Sequence, residues 1–132
     1  MKTITTWKTG HAFDSSQGNA KIEIDAKNGF SPKALLLSGL AGCSGIDVVE
    51  VLEKMRVPFA SLQIEVETEQ TDEHPRVFKD IHINYIIRTE EDNRDKVKKA
   101  IDLSLDKYCG VSAMLKKNSK IDYIITIQPD PL

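Results

Sequence analysis

Hydrophobic and polar positions alternate along several stretches of the chain and merge into a nearly all-apolar run in one. Ala20 to Ala26 puts Ile22 and Ile24 on one face and Lys21, Glu23 and Asp25 on the other. A two-residue period of this kind marks a half-buried antiparallel strand. It recurs from Ser61 to Thr71, where Leu62, Ile64 and Val66 oppose Gln63, Glu65 and Glu67. It recurs again from Phe78 to Arg88, with Ile81, Ile83 and Tyr85 on one face. Residues 3–8 and 121–127 read as strands too, and HAFDS as a second short one after a Thr9-Gly10 turn. Ser15 to Asn19 and Lys27 to Gly29 are turn clusters, and TDEHP is a loop or hairpin connection.

The all-apolar run lies within Ser31–Arg56. Ser31 suits an N-cap and Pro32 the first helical position, where a missing N–H costs nothing. From Ala34 to Val49 the helix is broken mainly by Ser38, Ser44 and Asp47. A helix apolar on every side is expected to be buried on every side. Asp47 and Glu50 interrupt it, which argues for a soluble core helix and against a bilayer span. Gly39, Gly42 and Gly45 recur every third residue. Glycine weakens a helix by about 1 kcal/mol, so the stripe implies close approach by another backbone. Cys43 sits inside it. Val57-Pro58 is expected to end the helix.

A second helix, capped at or near Asn93, runs to about Tyr108 through Val97, Ala100, Ile101, Leu103 and Leu105. Gly110 breaks it and VSAMLKK forms another short helix, while the PDPL tail carries no structural signal. The sum is an α+β protein, antiparallel sheet packed on helices, as one domain over residues 1–132. Covering a buried helix on both sides is hard for one small domain, so a dimer wrapped around it is the expected assembly.

Composition narrows the function. The chain has 132 residues, a formal net charge of -2 and no basic run interleaved with aromatics, which argues against nucleic acid and anionic membranes. MKTITTWKTG lacks the apolar core of a signal peptide, so a cytoplasmic location is expected. Two cysteines in such a chain read as free, catalytic or redox-active. They form no Cys-x-x-Cys motif, and no His/Cys cluster has metal spacing, so neither metal nor cofactor is expected.

Cys43, mid-helix, gains nothing from a helix N-terminus, and Asp47 and Glu50 follow on roughly its own face. Nearby carboxylates raise a thiol pKa. By itself Cys43 is an inert core residue, and a reactive Cys43 needs a cation from elsewhere. Cys109, ending a helical run beside Gly110, is either structural or a resolving thiol that closes a disulfide on an oxidised partner. His11, His74 and His82 are scattered, His82 on the polar face of its strand. Arg76, after Pro75, reads as a solvated loop charge.

SPKALLLSGLAGCSGIDVVEVL, then HPRVFKDIHINY, then LSLDKYCGVSAML, together resemble the OsmC/Ohr family of bacterial thiol peroxidases, from about Gly18 to Ile127. The CSGIDVVEVL and DKYCGVSAML forms are most similar to its YhfA-like branch. The resemblance implies an intertwined homodimer, with antiparallel sheets packed around two central helices and active sites at the interface. It implies Cys43 as the peroxidatic nucleophile toward organic hydroperoxides and Cys109 as the resolving thiol. A dithiol reductant, lipoyl- or thioredoxin-type, would reopen the disulfide, with no cofactor. Family peroxidases carry a Glu just after the helix-start Pro, where this chain has Lys33 and Ala34, and an early Arg, whereas no Arg precedes Arg56. Arg76, in a PRVF context, is the available substitute. Two readings follow: a cysteine peroxidase, and an OsmC-fold dimer that binds an apolar or acyl ligand with little peroxidase activity.

Overall fold

The computed structural model describes residues 1–129; the last three residues of the PDPL tail lie outside the described residues. In chain order the elements are β1 (Ile4–Thr9), β2 (Ala12–Gln17), β3 (Ala20–Asp25), α1 (Pro32–Lys54), β4 (Ser61–Gln70), β5 (Phe78–Arg88), α2 (Arg94–Leu103), α3 (Gly110–Leu115) and β6 (Ile121–Gln128). A 3₁₀ turn, Glu91–Asn93, precedes α2, and a π-helical turn, Ser104–Tyr108, joins α2 to α3. The chain divides into two compact units, Met1–Ser38 and the remainder from Gly39.

In the first unit β1, β2 and β3 form an antiparallel meander. Gly10 and Gly18 take φ of 53° and 56° at its two turns, a conformation glycine adopts without strain. Trp7, Phe13 and Ile24 pair across the three strands in one row. The other face holds an ion-pair net: Lys8 reaches Asp14 at 3.2 Å and Glu23 at 3.0 Å, and Lys21 reaches Asp14 at 3.0 Å. The expected half-burial of β3 is not met inside this unit, since Ile22 stays 50% exposed.

Ser31 caps α1 as the sequence implies: its Oγ accepts the Ala34 N–H at 3.3 Å, and Pro32 is the first helical residue. In the second unit the helix buries Leu40, Ser44, Val48 and Leu52, one row at a four-residue spacing. This row joins Ile81, Ile83, Tyr85 and Ile87 of β5 and Val97, Ala100 and Ile101 of α2 in a single core. The sheet order is β4-β5-β6. β4 runs antiparallel to β5, but β6 runs parallel to it, with Tyr85 opposite Ile125. A parallel pair needs a long crossover, and the α2–π-turn–α3 segment supplies it.

Three expectations need correction. All-round burial of α1 fails: Leu36 is 51% and Ile46 62% exposed. By length and composition α1 could cross a bilayer, with a mean hydropathy of 1.7, yet its buried row packs on β5 and α2 as a core helix does. The glycine stripe meets a neighbour only at Gly45, where an added Cβ would lie 3.1 Å from Ile64 Cδ1; Gly39 and Gly42 have nothing within 4 Å. Asn93 stands at the N-cap position of α2 as expected, but its side chain makes no capping bond; its amide donates to Thr89 Oγ1 at 3.0 Å.

The helix also ends before Val57-Pro58. Arg56 turns into the left-handed region at φ 56°. The Val57 N–H then reaches the Leu52 carbonyl at 2.9 Å and the Arg56 N–H the Glu53 carbonyl at 3.0 Å, the paired bonds of a Schellman stop. A side chain in that conformation costs about 1–2 kcal/mol. Arg56→Gly is therefore expected to raise the urea-unfolding free energy by about 1 kcal/mol; an unchanged or lowered midpoint would show that Pro58 sets the helix end.

Candidate functional site

The two cysteines reach the same place from different elements. Cys43 precedes the buried Ser44 on α1 and is partly buried, between the core row and the exposed face of Gly42 and Ile46. Cys109 is 3% exposed and begins α3. Its Sγ accepts the Ser112 N–H at 3.3 Å, so the thiol itself is the N-cap. Both cysteines are free, and they are near enough for the Cys43 thiol to bear on the protonation of Cys109.

The π-turn is what delivers Cys109. Its N–H bonds the Ser104 carbonyl, five residues back, at 2.7 Å. The extra residue in the turn shifts Cys109 around the axis relative to a continuous α-helix, and such turns are common at functional sites. The Leu105 carbonyl displaced by the turn is satisfied by Ser112 Oγ at 3.2 Å and by Lys116 Nζ at 2.5 Å.

A knot of hydroxyls lies beside the thiols. Ser44 Oγ is 2.6 Å from the Tyr85 hydroxyl and 2.9 Å from Ser104 Oγ, and Ser104 Oγ donates to Asp47 Oδ2 at 3.0 Å. Ser44, Tyr85 and Ser104 are each fully buried. Unpaired, such groups would each cost about 1–3 kcal/mol; paired, they tie α1, β5 and the π-turn at one point. Asp47 is thus turned toward Ser104, whereas the sequence suggested a carboxylate bearing on Cys43. The knot itself was missed by sequence reasoning. Its signal was present: Ser44 and Asp47 are polar breaks three residues apart in an apolar helix, and Ser104 interrupts the apolar face of the next.

Burial, reinforced by the neighbouring Cys43 thiol, pushes the Cys109 thiol above its ordinary value, and the Ser112 N–H opposes this only in part. Burial likewise raises the Tyr85 phenol to about 12, with the Ser44 bond pulling the other way. Both groups therefore stay protonated at neutral pH. Arg76 is exposed on the connection between β4 and β5. Tyr85, under the site, lies seven strand residues beyond the start of β5, roughly 20 Å at 3.3 Å per residue. The fold thus gathers Cys43 and Cys109 and leaves Arg76 at the far end of the hairpin. His82 pairs with Asp122 at 2.6 Å on the outer sheet face, and that carboxylate raises its pKa. Among the described residues no group of His, Cys, Asp or Glu is arranged to hold a metal ion.

Two small sheets, an apolar helix carrying one free thiol and a buried N-cap thiol set against it define a two-cysteine α+β protein. The family described as OsmC-like protein matches residues 24–124. Protein YhfA of Escherichia coli (strain K12) is 33% identical over 128 residues, covering 93% of this chain and 95% of its own length. The chain belongs to the OsmC family. An OsmC-like protein from Mycoplasma pneumoniae superposes with a TM-score of 0.84 at 19% identity, covering 96% of this chain and 95% of the other. The organic hydroperoxide resistance protein OhrB of Bacillus subtilis shares the fold with a TM-score of 0.63 at 18% identity, covering 96% of each chain.

Because burial leads and the Cys43 contact comes second, Cys109 is expected to titrate above 9.0 in the wild type, and less far above it in Cys43→Ser. Iodoacetamide labelling of Cys109 against pH, read by mass spectrometry, checks both. A labelling midpoint at or below 9.0 in the wild type would contradict the burial argument.

Proposed function

We propose that this protein is a dimeric thiol peroxidase for organic hydroperoxides. The observation that carries the reading is a pair of neighbouring free thiols, Cys43 partly open and Cys109 buried. The partly open thiol is the one a peroxide meets first. The Cys43 thiolate attacks one peroxide oxygen, the O–O bond breaks, and an alcohol leaves after taking a proton. The sulfur is left as sulfenic acid, oxidised by the two electrons the peroxide gains. Cys109 then attacks that sulfur; an S–S bond forms, the S–O bond breaks, and water leaves with the Cys109 proton. A dithiol of lipoyl or thioredoxin type returns two electrons and reopens the pair. A pathway that regenerates thiols fits a reducing, cytoplasmic setting.

The dimer belongs to the same reading. Gly42 and Ile46 line an open apolar groove of about 610 Å³ with Val49, Leu62 and Ile64. A second copy on this face would bring protein over Cys43. It would also let Arg76 of one chain serve the thiolate of the other, the route by which that guanidinium could act given its distance within one chain. The groove favours a second reading as well: an apolar or acyl ligand held there, with slow thiol chemistry.

Cumene hydroperoxide consumption with a dithiol reductant separates the two. Cys43→Ser is expected to lose turnover altogether, and Cys109→Ser to stall as a dimedone-reactive sulfenic acid. Wild-type turnover by Cys43→Ser would sink the peroxidase, and a wild-type protein that holds a ligand in native mass spectrometry without turnover would establish the second reading. For assembly, Gly42→Leu meets open space within one chain, so it should leave the fold intact but weaken the dimer in sedimentation. An unaffected dimer would place the seam elsewhere.

A further inference from the structure

Ser104 touches both halves of the cysteine pair. Its hydroxyl lies 2.9 Å from Ser44 Oγ and donates to Asp47 Oδ2 at 3.0 Å, so it grips α1 at the residue after Cys43 and one turn further on. Its carbonyl accepts the Cys109 N–H at 2.7 Å across the π-turn. The residue itself is fully buried. Side chain and main chain of one residue therefore fix the two thiol-bearing segments relative to each other. We propose that Ser104 is the positioning residue of the Cys43–Cys109 pair, holding the two sulfurs at the separation that disulfide closure requires.

This rests on the redox-pair reading above and adds to it the group that sets the pair's effective concentration. Disulfide geometry is narrow, with Cβ atoms about 3.5–4.5 Å apart. A loosened segment samples that geometry less often, and the disulfide becomes easier to reduce. The relevant exchange is protein dithiol plus oxidised glutathione giving protein disulfide plus two reduced glutathiones. Two thiol protons and two electrons pass to glutathione, and one S–S bond is exchanged for another.

The test is the equilibrium of the full-length protein in glutathione buffers at fixed pH, trapped by alkylation and read by mass spectrometry. The wild type is expected to close a Cys43–Cys109 disulfide. Ser104→Ala should lower the disulfide/dithiol equilibrium constant about tenfold, equivalent to about 30 mV. Ser104→Thr, which keeps the hydroxyl, should restore it to within about threefold. Thr89→Val controls for stability alone. It removes another buried hydroxyl, bonded to the Pro58 carbonyl at 2.7 Å, and should lower the melting temperature without moving the equilibrium.

If Ser104→Ala matches the wild type, or if Thr89→Val moves the equilibrium as far, the positioning role is overturned. If Ser104→Ala does not fold, Ser44→Ala carries the test in the same direction, since it removes one of the two hydroxyl contacts. A wild type that never closes the disulfide in any buffer overturns the redox-pair reading, and the positioning role falls with it.

Discussion

Ser44 and Ser104 meet at 2.9 Å in a largely apolar core, and that contact fixes α1 against the π-turn beside the thiols. Apolar packing is non-directional and tolerates small slips of a helix over a sheet. A hydrogen bond does not, because breaking it would strand a buried hydroxyl at a cost of about 1–3 kcal/mol. Tyr85 adds a third element to the contact from β5, and Asp47 a carboxylate from α1. The rotation and register of α1 against the sheet are therefore set at the residue beside Cys43. The π-turn is set at the same point, because its first residue is Ser104. A satisfied polar network in a low-dielectric interior is stiffer than its parts. That stiffness is located beside the two cysteines.

The same arrangement makes the thiols unequal. Cys109 has what normally activates a cysteine, an N-cap position and a backbone N–H on its sulfur. Cys43, in the middle of α1, has neither. Yet the position favoured by the helix end is also the buried one, and burial prevails: Cys109 is held in its protonated form. A neutral buried thiol is stable beside an apolar core and reacts only when an electrophilic sulfur is brought to it. On the peroxidase reading, the chemistry of a resolving cysteine needs nothing more. Cys43 keeps solvent access because its helix face is covered on one side only.

Much of this was legible in the chain because it is local. Alternation of side chains identified β3 to β6, Ser31 and Pro32 identified the start of α1, and the small-residue stretch around Cys43 with KYCG identified the family. What was not legible depends on partners distant in sequence. No period in IDYIITI distinguishes a strand lying parallel to β5 from one lying antiparallel. The crossover decides that, and it contains a π-turn whose extra residue leaves no mark on an apolar pattern. Arg56 ends α1 in a conformation usually given to glycine, so residue type pointed one step too far, to Pro58. Ser44, Asp47 and Ser104 read as interruptions of apolar faces. Only their meeting across sixty residues of chain, bonded at 2.9 and 3.0 Å, turns them into a structure.

The apolarity of α1 led to an expectation of burial that a single chain does not meet. Leu36 and Ile46 remain exposed on α1, and Ile4, Trp7 and Ile22 on the first sheet. Burying a large apolar side chain contributes about 1.5–3 kcal/mol. Each such side chain left in water is a sizeable share of a whole domain's stability of about 5–15 kcal/mol. Surface of that kind is rarely left in water. A two-fold related copy is the simplest cover for an exposed helix face, since the same face then serves both chains. On the dimeric reading the helix face that carries the seam borders Cys43. Assembly and thiol chemistry then share one boundary: the surface that lacks cover in a single chain is the surface from which a hydroperoxide would approach the sulfur. On the peroxidase reading, what closes over that face would decide which peroxides reach Cys43, while Ser104 would decide how readily the resulting sulfenic acid meets Cys109.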